Sequence, residues 1–265
     1  MPFTPTHIVA ILPFRVLNRW LPFSALAIGS MIPDVGLFFP IARYGLTHSP
    51  VGIFTACLPM GLIAFLLFDL VMRRPLRALL PEWIQRRIDP TACLPNSDRV
   101  ATQLVFFIGV SVAIAIGAAT HQIWDAFTHR GRWGTLLVPE LDSEILLAGI
   151  QIPGYKLFQY GSTLVGLPLL MCLATWELLR SPADSPIERK VPFRWKILTA
   201  SVVPTIPLVV AIRALATEPS YDLVLATTIK VSGTLLMSLA VIGCSVFRLQ
   251  FRDLCPTGPL PPKST

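Results

Sequence analysis

The sequence predicts an all-α, polytopic membrane bundle of about five full spans plus a proline-broken, half-inserted hairpin at the N-terminal end. Charged residues make up only 14% of the 265 residues and the mean hydropathy is +0.64, whereas soluble domains carry about 25% charged residues. Several uncharged runs also approach the roughly 20 residues that a helix needs to cross a bilayer. Because alternating polar and apolar patterns are absent, no β-structure is expected.

The N-terminal apolar stretch differs from a plain span because prolines interrupt it. Residues 21–42 are apolar apart from Asp34, and Pro22, Pro33 and Pro40 fall within them. If this stretch were a full span running outward, His7 would be left on the cytoplasmic side, away from the other candidate ligands. We therefore expect residues 4–42 to form a hairpin that folds back, packed against protein or lining a wet cavity, where irregular backbone is tolerated.

The remaining apolar runs are the predicted full spans, and they divide the chain. We expect a membrane-embedded site domain over residues 1–180, two further transmembrane helices over 181–254, and a Pro-rich, disordered tail over 255–265. The predicted spans are 51–72, 101–120, 157–176, 197–212 and 222–247.

The basic residues predict the orientation of the spans. Most of the 22 lysines and arginines lie in three segments: residues 73–99, residues 180–196 and residues 248–263, after the last span. By the positive-inside rule, these segments and the C-terminus face the cytoplasm, and the alternate connections face out. The net charge of +7 is then explained by topology and by contact with anionic membrane lipids, with no nucleic-acid partner.

Six residues, four histidines and two aspartates, form a candidate metal site. The predicted topology places His48 and His121 at the same outer level, and the folded-back hairpin adds two more ligands. Zn²⁺ and related ions bind imidazole and carboxylate together, so we expect a divalent metal here, one or two Zn²⁺ ions. The candidate ligands are His7, Asp34, His48, His121, Asp125 and His129.

The spacing His121-x-x-x-Asp125-x-x-x-His129 leaves two geometries open. On a helix all three side chains project from one face, but about 6 Å of rise per four residues separates the histidines by about 12 Å. Either Asp125 bridges two ions, or the helix breaks near His129 and that side chain folds back. The alternatives to a metal site are hydrogen-bonded interior histidines and, for Asp34, a helix cap.

A second group of residues is predicted to bind substrate. Arginines beside a metal suit a phosphate or other anionic group, although the same residues also suit a solvated loop and an interfacial helix start. The candidate substrate-binding residues are Arg130, Arg132, Lys156, Gln159 and Tyr160.

Five short motifs resemble those of an uncharacterised family of bacterial multi-pass membrane proteins. In ligand order the chain is also similar to inner-membrane-bound metal-dependent hydrolases and, distantly, to zinc-dependent phospholipase C. The latter resemblance maps onto His48, His121, Asp125 and His129, but no histidine follows His129, so one or two ions are expected instead of three. The motifs are Met1-Pro-Phe-Thr-Pro-Thr-His7, Ile28-Gly-Ser-Met-Ile-Pro-Asp34, Thr47-His48-Ser49, His121-Gln-Ile-Trp-Asp125-Ala-Phe-Thr-His129 and Tyr155-Lys-Leu-Phe-Gln-Tyr-Gly161.

These observations favour a metal-dependent hydrolase of the bacterial inner membrane, acting at the outer face on a lipid or lipid-linked (phospho)ester. Asp34 and Asp125 are the candidate catalytic residues, because a carboxylate not fully committed to the metal can take the proton of a metal-activated water. A metal-ion or small-solute transporter uses the same residue types. A structural membrane protein pinned by a metal is the third hypothesis.

Overall fold

A computed structural model describes residues 3–89, 95, 99–147, 149–187 and 191–250. The described chain is almost entirely helical, and five of its helices are long and apolar enough to cross a membrane, so the predicted all-α polytopic bundle is confirmed. The predicted tail over 255–265 lies outside the described residues. The five helices are Pro50–Leu79, Val100–Thr128, Gly154–Arg180, Phe193–Thr217 and Leu223–Arg248.

Two shorter apolar helices, Thr4–Leu17 (α1) and Phe23–Phe38 (α2), form the N-terminal hairpin. Both are shorter than the length required of a full span. Pro22, between them, has an extended conformation with ψ of 125°. Because a residue with this backbone geometry cannot continue a helix, it separates α1 from α2. Thr4 Oγ1 donates a hydrogen bond to Asp34 Oδ2 at 2.8 Å. The chain therefore folds back, bringing the start of α1 to the end of α2.

A short helix, Tyr44–Thr47 (α3), leads into the long helix Pro50–Leu79 (α4). Two π-helical turns interrupt α4, Ile53–Cys57 and Phe68–Met72. Pro59 and Pro75 have no N–H to donate to the carbonyls of Thr55 and Val71, which lie inside these turns. Each widened turn therefore accommodates the loss of the backbone hydrogen bond that the proline cannot make.

The helix Glu82–Gln85 (α5) precedes the long helix Val100–Thr128 (α6), which is followed by Trp133–Leu137 (α7). An antiparallel hairpin follows, with Glu144–Leu147 (β1) paired to Ile150–Pro153 (β2). This hairpin corrects the expectation of no β-structure. All four side chains of β1 are exposed, so no buried face imposes an alternating pattern on its sequence. The only local signal is Gly149, whose φ of +83° suits the tight turn.

Three further long helices complete the described part of the chain: Gly154–Arg180 (α8), Phe193–Thr217 (α9) and Tyr221–Gln250 (α10). By its internal contacts the chain forms two compact units. The first comprises residues 1–65 and 99–177, and the second comprises residues 66–98 and 178–265. The candidate site ligands all belong to the first unit.

In the second unit, a buried arginine ties helix ends together. Arg77, in the last turns of α4, is 3% exposed and donates through Nη2 to Gln85 O at 2.6 Å and through Nε to Ile88 O at 2.9 Å. Asp69 pairs with Arg73 at 2.7 Å on α4. These charges therefore hold the fold of this unit.

In the first unit, α2 and α6 cross at two glycines. A Cβ built on Gly117 would lie 2.4 Å from Leu26 O, and one built on Gly29 would lie 2.4 Å from Ile114 O. Such short separations exist only because neither residue has a side chain. Close backbone contact through small residues is the usual way that membrane helices associate, and here it brings the end of α2 against the last turns of α6.

Candidate metal centre

Four side chains converge at the end of α6 that carries His121 and Asp125. One ligand atom from each of Asp34, His48, His121 and Asp125 lies within 4.8 Å of all the others. All four residues are buried, and His121 is completely inaccessible to solvent. The set of two imidazoles and two carboxylates offers the donors that Zn²⁺ and similar divalent ions accept.

Five of the six separations between these atoms are close to those of a tetrahedral ion site. His48 Nε2 lies 3.3 Å from His121 Nε2. The two Nε2 atoms lie 3.5 and 3.6 Å from Asp34 Oδ1, and 3.4 and 3.5 Å from Asp125 Oδ2. An ion bound at 2.0–2.1 Å by four tetrahedral ligands separates them by about 3.3–3.4 Å. Charge-assisted hydrogen bonds are shorter, at about 2.7–2.9 Å, so the spacing suits an ion better than direct bonds.

Three elements supply the four ligands. His121 and Asp125 are four residues apart on α6, so both project from one face. Asp34 lies in the 3-10 turn Ile32–Asp34 within α2, where Pro33 is the second residue of the turn. His48 follows α3, at the residue where that helix ends. Three stretches far apart in sequence therefore supply one centre.

Contacts outside this group orient the ligands. His121 Nδ1 lies 2.8 Å from Ser30 O, and His48 Nδ1 lies 3.0 Å from Tyr44 O. Since a carbonyl only accepts, each Nδ1 donates, which leaves the Nε2 lone pair of each ring directed at the centre. Metal-binding histidines are commonly fixed in this way. Thr4 similarly holds Oδ2 of Asp34 and leaves its Oδ1 facing the imidazoles.

The buried oxygens facing the centre have no conventional hydrogen bonds. Asp34 Oδ1 and both carboxylate oxygens of Asp125 lack a hydrogen-bond partner among the described residues. Buried polar atoms are nearly always satisfied, and burying two carboxylates without compensation is costly. A cation among these oxygens satisfies them together, so the residues present fit a bound metal ion.

The site also shifts the protonation of groups that lie outside the membrane-spanning helices. Burial alone would lower the pKa of His48, but the carboxylates of Asp125 and Asp34 outweigh it and raise this pKa to about 9. Burial and the same carboxylates raise the pKa of Tyr44, whose ring stacks on His48 at a centroid distance of 3.8 Å. The carboxylate pair therefore favours positive charge between its members.

His7 and His129 lie next to the four-atom group, on the other side of Asp125. His7 Nε2 is 3.6 Å and His129 Nδ1 is 3.5 Å from Asp125 Oδ1. Helix α6 ends at Thr128, and His129 has extended backbone angles of −134° and 136°. Of the two geometries left open by the sequence, the structure has the broken helix, with His129 folded back toward Asp125.

The two arginines predicted to bind substrate contact different groups. Arg130 is directed at the loop, where its Nε pairs with Asp142 at 3.2 Å in an exposed position. Arg132 lies nearer the centre: its Nη1 is 3.5 Å from His48 O, and its guanidinium stands 5.7 Å from the ring centroid of Tyr44.

Of the three candidates on α8, one reaches a site histidine. The amide Nε2 of Gln159 is buried and lies 3.4 Å from His129 Nε2. Tyr160 is 41% exposed and Lys156 is half-buried. Gln159 thus touches a candidate ligand, whereas Tyr160 faces outward.

Three residues that orient the ligands were not singled out by sequence reasoning. Tyr44 precedes His48 by four residues, a helical spacing that is visible in the sequence. Thr4 lies three residues before His7, one turn of a 3-10 helix. Ser30 contributes only its backbone carbonyl, so its side chain carries no signal of this role.

Comparisons with known proteins identify a family but no activity. Neither the curated proteins nor the solved structures contain a match to this chain. Residues 1–248, most of the chain, match a family described only as a domain of unknown function. The match includes α1 to α9, nearly all of α10 and all six candidate ligands. The chain therefore belongs to the DUF4184 family of proteins.

Proposed function

We propose that the protein is a membrane-embedded, metal-dependent hydrolase acting on a lipid or lipid-linked phosphoester. The observation that carries this proposal is the buried group Asp34, His48, His121 and Asp125, whose facing atoms stand at the spacing of metal ligands. Metal centres with histidine and carboxylate ligands are common in hydrolases. The resemblance of the ligand order to metal-dependent membrane hydrolases supports the same reaction class.

The residues around the centre divide the chemical work. A bound ion lowers the pKa of a coordinated water and polarises the scissile group. Each aspartate has one oxygen outside the four-atom group. In Asp125 this oxygen, Oδ1, has no hydrogen bond among the described residues, whereas in Asp34 it is Oδ2, which already accepts from Thr4. Asp125 is therefore the better candidate to hold the proton of that water. Arg132, beside His48, is the residue we assign to the anionic part of the substrate.

Exposed apolar side chains beside the centre support a lipid substrate. Helix α7 begins four residues after His129 and leaves Leu136 and Leu137 more than 70% exposed, and β1 leaves Leu146 70% exposed. Such residues are stable next to acyl chains at the membrane interface. We further propose that this end of α6 faces outward from a bacterial inner membrane, with the C-terminus in the cytoplasm, because the basic loops lie at the other helix ends.

A structural metal is the second candidate, and one observation favours it. Four protein ligands fill a tetrahedral coordination sphere, and structural zinc sites are closed in this way, whereas catalytic sites keep an open position. Under this hypothesis, chelation lowers the melting temperature and no substrate is turned over.

A transport pathway has less support. Transport requires polar groups to continue beyond the site, yet the buried side chains of α6 on the far side of His121 are apolar or absent. They are Val110, Ala113, Ile114, Gly117 and Ala118.

The test measures metal and hydrolysis on the same purified protein in lipid nanodiscs. We expect bound divalent metal by elemental analysis after removal of adventitious ions, and release of phosphorylated headgroup from phospholipid or lipid-linked phosphodiester substrates. His121→Ala should lose both. Thr120→Ala, which removes a neighbouring hydroxyl that donates to Gly117 O, should keep both. Absence of stoichiometric metal, or His121→Ala turning over like the wild type, would contradict the proposal.

A further inference from the structure

The ligand His48 lies in the link between α3 and α4, where neither helix continues through it. Its backbone angles are −104° and 28°, which are not helical. Thr47 is the last residue of α3, and Ser49 is the N-cap of α4. The position of His48 therefore depends on what holds the backbone of this link.

One side chain binds the link on both sides of the ligand. Gln122 follows His121 on α6. Its amide Nε2 lies 2.9 Å from Thr47 O and 3.0 Å from Ser49 O, both ordinary distances for N–H···O hydrogen bonds. Since a carbonyl only accepts, the amide nitrogen faces the link and donates one of its two hydrogens to each carbonyl. Gln122 therefore holds the backbone on either side of His48.

Other side-chain donors to the carbonyls of this link are farther away. Arg132 Nη1 lies 3.5 Å from His48 O, and Cys57 Sγ lies 3.3 Å from Thr47 O. A donor at 3.5 Å is beyond the usual range of a hydrogen bond, and a thiol donates weakly. Among the described residues, the amide of Gln122 therefore makes the shortest hydrogen bonds to these carbonyls.

The place of Gln122 on α6 connects this link to the metal centre. Neighbouring side chains leave a helix about 100° apart, so His121 reaches the centre while Gln122 reaches the link beside it. The Nε2 atoms of His121 and His48 are 3.3 Å apart. Because Asp125 also projects from α6, one helix supplies two ligands and holds the backbone of a third.

We propose that Gln122 is a positioning residue of the metal centre, which holds His48 beside His121 by donating both amide hydrogens to the link. The chemistry needed at this position is narrow. An ionised glutamate only accepts, so its oxygens would repel the two carbonyls, and a methionine of similar length has no donor. An asparagine keeps the amide but is one methylene shorter, so we expect it to reach one carbonyl instead of two.

The inference rests on the proposed function only in requiring a metal at the centre, since no hydrolysis is needed for it. Without the amide donors, the backbone around His48 can move away from α6. The ligands on α2 and α6 do not depend on this link. Loss of the clamp should therefore loosen one ligand and leave the other three in place.

The test uses Co²⁺ alone as the probe on metal-free, full-length protein in nanodiscs. Visible absorption of Co²⁺ is intense with four tetrahedral ligands and weak with more ligands. We expect Gln122→Met to bind Co²⁺ about 10-fold more weakly and to absorb less, because His48 no longer completes the tetrahedral set. Gln103→Met, at an exposed position near the other end of α6, is the matched control and should keep the wild-type affinity and spectrum.

A double variant separates positioning from general stability. His48→Ala leaves no ring to position, so adding Gln122→Met to it should cause no further loss of Co²⁺ affinity. A glutamine that merely stabilises the fold would lower the affinity by the same factor in both backgrounds. That result, or a Gln122→Met protein with wild-type affinity and spectrum, would overturn the inference and leave the proposed function intact.

A milder substitution keeps the test valid if Gln122→Met does not melt cooperatively. Gln122→Asn then takes its place in both backgrounds, with a smaller change in the same direction expected beside an intact His48 and none in His48→Ala. An unchanged affinity and spectrum in this variant would also overturn the inference. Wild-type protein that takes up no Co²⁺ would contradict the inference and the proposed function together.

Discussion

Single hydrogen bonds decide whether the side chains of this centre point at an ion. Thr4 donates to Asp34 Oδ2, while the carbonyls of Ser30 and Tyr44 each accept from a histidine Nδ1. None of these groups would touch the ion itself. By fixing the ligands before binding, they reduce the entropy lost when the metal arrives, and such contacts are generally worth 10-fold to 100-fold in affinity.

Thr4→Val tests this role at one atom. The substitution removes the hydroxyl but keeps the shape, leaving Asp34 Oδ2 unpaired, so we expect metal affinity to fall by about 10-fold to 100-fold. Competition with a chromogenic chelator measures the change. Thr199→Val, which removes an exposed hydroxyl bonded to Trp195 O on α9, should leave affinity unchanged. Equal affinity in both variants would show that Thr4 does not orient the ligand.

The raised pKa of His48 predicts opposite pH effects with and without metal. In the metal-free protein this pKa is about 9, against 6.5 ordinarily. Its stabilising contribution is therefore complete below pH 6.5 and is lost as the pH rises toward 9. Metal binding needs the neutral ring, so affinity should rise over the same interval. Melting temperatures between pH 6.5 and 9 should fall for chelated protein, and this fall should be smaller in His48→Gln. A rise in the chelated wild type would contradict the assignment.

At this scale the sequence predicts residue types better than contacts. All six candidate ligands are recognisable because histidine and aspartate are rare beside apolar runs, and the structure places them in one region. The difference between Arg130, which pairs with Asp142, and Arg132, which lies against His48, is not predictable from sequence. It depends on how the chain turns after α6, where Gly131 has a φ of +70°.

At the scale of elements, the contact between α2 and α6 sets the position of the centre. Gly29 and Gly117 allow the two backbones to touch, and Ser30, next to Gly29, then reaches His121. A periodic apolar pattern predicts that these helices exist, but it does not predict which faces meet. The hairpin β1–β2 was missed for a related reason, since its strands pack on nothing that would impose a pattern.

Gly117→Ala should separate these helices and weaken the metal site together. In an ordinary helix, replacing glycine by alanine stabilises by up to about 1 kcal/mol, but here the new Cβ would lie 2.4 Å from Leu26 O. We expect a melting temperature several degrees lower and weaker metal binding. Gly243→Ala on α10 is the matched control, because, apart from the adjacent backbone of its own helix, no described atom lies within 4 Å of its Cβ position. A stabilised Gly117→Ala would show that the contact can relax.

For the whole molecule, five apolar helices follow from hydropathy alone, and the structure confirms them. The distribution of basic residues adds the expected orientation, which geometry within the chain cannot supply. Both inferences work because the bilayer imposes length and charge rules that act on each segment separately. The π-helical turns of α4 escape such rules, since they depend on the backbone near Pro59 and Pro75.

Labelling of single cysteines tests the orientation. In a variant without its native cysteines, Ser143→Cys lies beside the β1–β2 hairpin and Ala183→Cys lies in the connection between α8 and α9; both positions are exposed. In right-side-out membrane vesicles, an impermeant maleimide should label residue 143 at once and residue 183 only after the membrane is permeabilised. The reverse order of labelling would indicate the opposite membrane topology, with the metal centre on the cytoplasmic side.

The order of the ligands along the chain has a consequence for biosynthesis. Asp34 and His48 are made early, but His121 and Asp125 stand near the far end of α6, after α4 has been completed. A nascent chain therefore holds only half of the four-atom group until more than 120 residues have been translated. Ion capture must follow the insertion of α6, so metal occupancy marks molecules in which α2, α3 and α6 have come together.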